Sequence, residues 1–69
     1  MVILFSQRLQ QLRKDANLKQ SDLAKVLNTT QRRISHLESG KVEPDLNTLV
    51  AIAKHFNVSL DYLVGVSEY

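Results

Sequence analysis

The chain has 69 residues, 43 % hydrophobic and 23 % charged, the composition of one small globular domain and not of a disordered segment. Cysteine is absent, which excludes disulfides and thiolate metal sites; the longest apolar run, Val2 to Phe5, is far below the roughly 20 residues of a membrane span and lacks signal-peptide flanks, so a cytoplasmic domain is expected. The net charge of +2 is uneven: residues 1–41 hold eight basic side chains against three acids, and residues 42–69 hold one against four, which points to a polyanion on one side of the molecule.

The first helix is predicted over about 5–15, where Phe5, Leu9, Leu12 and Ala16 recur at helical spacing. Asn17 supplies a left-handed stop. A second helix follows over about 20–27, with Leu23, Ala24 and Leu27 inward; Lys19 stands at its cap position and is a poor cap. Asn28 offers another left-handed stop. The third helix, about 30–38, is capped by Thr29 or Thr30 and closed by Gly40.

Pro44 and Asp45 announce the fourth helix, about 46–56, with Leu46, Leu49, Val50, Ala53 and Phe56 as its apolar stripe. Ser59 caps a short fifth helix, about 60–64, carrying Leu60, Leu63 and Val64, and Gly65 ends it. Val2 to Leu4 is the one candidate strand, as a lone arm. The expected fold is all-α: a single five-helix domain over 1–69.

Only about two residues separate the second and third helices, so they should cross steeply, as in a helix-turn-helix. On a wheel of about 100° per residue, placing Ile34 at the core puts Thr30, Leu37 and Glu38 near it and Arg32 and His36 opposite. The outward face then carries Gln31, Arg32, Arg33, Ser35 and His36. It holds no acid and no large apolar group, and every side chain on it can donate a hydrogen bond. Such a face suits a duplex groove: Arg forks onto guanine and Gln pairs both ways with adenine. A plain solvated helix face is the competing explanation. The tight bend beside the polar stripe favours the groove.

Residues Gln20 to Gly40 resemble the signature of the Cro and phage-repressor (XRE-type) helix-turn-helix family, roughly Q-x-x-L-A-x-x-x-G-V-S-x-x-x-I-S-x-x-E-x-G. Gln20, Leu23, Ala24, Ile34, Ser35, Glu38 and Gly40 match, and Thr30 stands in for the Ser cap. Asn28 replaces the turn Gly, which positive φ tolerates; Thr29 replaces a buried Val or Ile. The likeness extends to Arg8-Leu9 and Leu12-Arg13, and to Pro44 and the stretch from Leu49 to Leu63.

The resemblance implies a transcriptional regulator, a repressor or autoregulator, that binds double-stranded DNA. Gln31, Arg32 and His36 take the base-reading positions. Gln20 grips a phosphate and braces the first recognition residue, and Thr30 with the amides after it holds another phosphate. Arg33 and Lys41 are phosphate contacts that fix register. Glu38 pairs structurally with Arg13. An antitoxin or restriction controller falls within the same class.

A homodimer on a palindromic operator is expected, with half-sites about 34–36 Å apart. Its surface would be the fifth helix and tail around Leu60, Tyr62, Val64, Val66 and Tyr69, with the Val2 to Leu4 arm as a second candidate. A protein-interaction module of the same fold is the alternative. No enzyme motif, cofactor loop or metal-ligand spacing is present, and so small a core leaves little room for a small-molecule pocket. His55 reads as a surface residue beside Phe56.

Overall fold

The computed structural model describes residues 4–67. Five helices follow one another: α1 (Phe5–Asp15), α2 (Gln20–Val26), α3 (Gln31–Ser39), α4 (Leu46–Phe56) and α5 (Leu60–Val64). No strand occurs among the described residues.

Local chemistry explains where the helices begin. The side chains of Thr30, Asp45 and Ser59 accept the backbone N–H of Arg33, Thr48 and Tyr62 at 3.2, 2.8 and 2.9 Å, satisfying donors that the first turn leaves open. Lys19 gives α2 no side-chain cap. Its backbone N–H instead donates to Asp22 Oδ2 at 3.0 Å, the reciprocal arm of a capping box.

The helices end on residues that accept a left-handed backbone. Asn17, Asn28 and Asn57 have φ of 59°, 56° and 55°, and Gly40 closes α3 at 80°. Gly65, at 92°, has a second reason to lack a side chain: a Cβ there would lie 2.9 Å from the Leu4 side chain. Leu4 therefore packs on Gly65, with φ −102° and ψ 2° at the N-cap of α1. That is not the extended backbone of a strand arm. Val2 and Ile3 lie outside the described residues.

Phe5, Leu9, Leu23, Ala24, Ile34, Leu37, Ile52 and Leu63 form the buried core. Every helix contributes, but unequally. The inner stripe of α4 is turned by about 45° from the sequence expectation. Ile52 is its one fully buried residue, joined by partly buried Leu49, Ala53 and Phe56. Leu46 is 69 % exposed, because it opens the helix and projects past the packed face. Ala16, expected on the stripe of α1, lies beyond the helix end and is exposed.

Candidate nucleic-acid interface

The sequence predicts that α3 presents two chemically different sides. Its inner side is anchored by Ile34 and Leu37, both with no exposed surface. Beside them lies Glu38, whose side chain is 3 % exposed. Removing a carboxylate from water is costly unless it is paired and fully hydrogen-bonded. Arg13 of α1 meets it with a two-pronged bridge, Nε to Oε2 at 2.6 Å and Nη2 to Oε1 at 3.0 Å. Arg13 Nη1 donates to the Leu18 carbonyl at 2.9 Å. One guanidinium thus ties α1, the α1–α2 turn and α3 together, and the hydrogen bond to Glu38 holds its proton more tightly than usual.

The outer side of α3 is wet. Gln31 and Arg32 are exposed, as are Thr30 before them and Lys41 after the helix; Ser35 and His36 are half-buried. The Thr30 hydroxyl already serves as the helix cap. Gln20, at the start of α2, is half-buried between the two sides. Its Oε1 accepts Gln31 Nε2 at 2.7 Å, and its Nε2 donates to Glu38 Oε1 at 3.1 Å. The link from Gln20 to Glu38 is absent from the sequence reading, because it joins an i to i+18 pair that no local spacing marks.

Arg33 turns toward α4 and away from the outermost face. Its Nη2 reaches Thr48 Oγ1 at 3.5 Å, the long limit of a hydrogen bond. Thr48 in turn supports Asp45: its hydroxyl, then its N–H, holds the Asp45 carboxyl below the usual carboxylate range, with a further contribution from Arg33. Arg33 also lines an open groove of about 260 Å³ between α3 and α4, floored by Leu27, Ile34, Leu37 and Ala51. Thr29, where a larger apolar residue is usual, borders the same groove.

At the far end, Leu60 is 39 % and Val66 77 % exposed. Tyr62 is half-buried because Arg8 covers it, with the guanidinium 4.2 Å from the ring centroid. Arg8 Nη1 also donates to the Tyr62 and Ser67 carbonyls. Val64 is half-buried and Tyr69 lies outside the described residues. His55 is exposed and meets Phe56 edge to face at 4.8 Å. Among the described residues no group of His, Asp and Glu could hold a metal ion, and no helix is long and apolar enough to cross a membrane.

Comparison with known proteins agrees with this arrangement. A family model described as helix-turn-helix matches residues 9–63. The chain is 42 % identical over 64 residues to the HTH-type transcriptional activator BcrR of Enterococcus faecalis, covering 93 % of this chain and 31 % of that protein. It is 36 % identical over 61 residues to the HTH-type transcriptional regulator ImmR of Bacillus subtilis, covering 88 % and 48 %. The chain thus spans half or less of these two relatives.

Among solved structures, the P22 c2 repressor in complex with a synthetic operator superposes with a TM-score of 0.80 at 30 % identity, covering 86 % of this chain and 89 % of that one. A transcriptional regulator from Listeria innocua gives 0.84 at 36 % identity, covering 88 % and 57 %. With five helices, a capped third helix held across the second, and a family match over most of its length, the chain belongs to the helix-turn-helix family of phage-repressor type.

Proposed function

We propose that this domain is the DNA-reading part of a transcriptional regulator and carries out no catalysis. The observation that carries the reading is the outer side of α3, which bears Gln31, Arg32 and His36 with no acid among them, while Ile34, Leu37 and Glu38 fix the opposite side to the core. A nine-residue helix is about 13 Å long, and the major groove of B-DNA, about 12 Å wide, admits one. Gln31, Arg32 and His36 read base edges. Gln20, Thr30, Arg33, Ser35 and Lys41 meet the sugar–phosphate backbone and fix register. The operator-bound P22 c2 repressor, which shares this fold, supports DNA as the partner.

One such helix covers few base pairs, so the proposed active form is a two-fold dimer on an inverted repeat. The longest extent of one domain is 28 Å, commensurate with recognition helices set about 34 Å apart on one face of the duplex. The exposed Leu60 and Val66, with Val64 beside them, form the proposed contact between copies. Tyr62 contributes less, being folded under Arg8. The relatives' naming as transcriptional regulators supports the cytoplasmic location proposed for this domain.

Selection of bound duplexes from a random pool, followed by sequencing, tests the whole reading. An inverted repeat with one helical turn between half-site centres is expected. Binding should also fall steeply as salt rises, and Lys41→Ala should reduce that salt slope by about one while weakening all sequences alike. No enrichment of any sequence, together with salt-independent retention on duplex, would overturn the proposal in favour of a protein partner.

A further inference from the structure

α5 has five residues, far short of the roughly 12–15 at which a helix begins to hold itself in water. Its start is fixed by the Ser59 cap and its middle by buried Leu63. Its end depends on α1. The Asp61 carbonyl accepts the N–H groups of Gly65, Val66 and Ser67 at 3.1, 2.9 and 3.2 Å, which folds the chain back through the left-handed turn at Gly65. Arg8 Nη1 carries two N–H groups. It donates to the Tyr62 carbonyl and, at 2.6 Å, to the Ser67 carbonyl, while the guanidinium lies 4.2 Å from the centroid of the Tyr62 ring. One side chain of α1 thus grips α5 at its backbone, at its ring and at the segment beyond its end.

The exposed apolar surface here belongs to two pieces of backbone. Leu60 and Val64 lie one turn apart on α5, and Val66 lies past the turn. A partner can meet all three together only while residues 65–67 stay folded against the helix. We propose that Arg8 is a positioning residue for self-association: its clamp joins the two pieces into one surface, which a second copy of this chain covers. The proposal rests on the two-fold dimer put forward above and adds α1 to what controls it.

Two-fold symmetry amplifies the clamp. If loss of Arg8 leaves the folded arrangement populated about one third of the time, the contact is weakened by that fraction in each protomer, and the dimer Kd rises about tenfold. Charge acts the other way. Each copy carries a net charge of +2, so removing a positive side chain lowers the repulsion between copies. Weaker association in Arg8→Gln therefore reports lost order and not altered charge.

Hydrogen exchange on dilute, monomeric protein is the first measurement. In Arg8→Gln the amides of Gly65, Val66 and Ser67 should lose most of their protection, with those of Ile34 and Leu37 unchanged. Unaltered exchange at 65–67, or an equal loss at Ile34 and Leu37, would overturn the clamp. If Arg8→Gln does not fold, Arg8→Lys carries the same readings, since it keeps a cation but not the planar fork.

Sedimentation and duplex binding are the second. The dimer Kd should rise about tenfold and affinity for an inverted repeat should fall with it, while affinity for a single half-site stays nearly constant. An unchanged dimer Kd would overturn the role in assembly. Val66→Asp probes the surface with the clamp intact and should abolish the dimer. If it does not, or if the unaltered chain never self-associates, the dimer contact fails and this role with it. The exchange data then still decide whether Arg8 orders the segment after α5.

Discussion

The two sides of α3 use similar polar atoms under opposite constraints. On the inner side, Glu38 is almost sealed from solvent, and Arg13 and Gln20 supply its hydrogen bonds within the fold. On the outer side, Arg32 and Gln31 are open to solvent, with Gln31 tethered to Gln20. A polar group that is sealed must find its partners on folding. A polar group that is open keeps its capacity for another molecule. Stability and recognition are thus divided between faces only one helix diameter apart, and substitutions on each should fail in different assays.

The largest effect is expected from Ile34→Ala, which leaves a void under α3 and should cost about 2–5 kcal/mol of stability, read as a lowered urea midpoint. Glu38→Ala comes next. It strands the Arg13 guanidinium, whose side chain is 11 % exposed, and should cost about 3 kcal/mol. Melting unchanged in this variant would place the bridge among ordinary surface pairs and erase the contrast.

Arg32→Ala should reverse the pattern. Stability should move by less than about 0.5 kcal/mol, whereas operator binding should weaken by about 1–3 kcal/mol with relaxed choice at one base pair. Titration of matched and mismatched duplexes separates the two quantities.

The smallest effect concerns Asp45. The Thr48 hydroxyl and N–H lower its carboxyl pKa in the folded chain. Its contribution is therefore present above the ordinary carboxylate value of about 3.9 and is lost as pH falls through the lower folded value. Asp45→Asn should flatten the acid side of the melting profile below about pH 4, with a slightly lower melting temperature at neutral pH, where the ionised cap contributes fully, and convergence with the unaltered protein in acid.

The elements legible in the sequence are those whose causes are local. Thr30, Asp45 and Ser59 cap the N–H three residues on, and Asn17, Asn28, Gly40 and Gly65 turn left-handed where the chain must stop. These bonds close within one turn, so residue type and spacing suffice to expect them. Asn57 stops α4 by the same device and was open to the same reasoning. The polar stripe of α3 was legible because helical periodicity alone divides Ile34 from Arg32.

What the tertiary structure decided involves partners distant in sequence. The buried face of α4 centres on Ile52 and not on Leu46 and Val50, because its rotation is set by the surfaces it packs on. Arg33 leans to Thr48 across the groove, Arg8 folds over Tyr62, and Gln20 joins Glu38 to Gln31. A one-dimensional pattern specifies which residues share a helix face. Only packing specifies the distance and angle at which two faces meet, and hydrogen bonds between side chains depend on both.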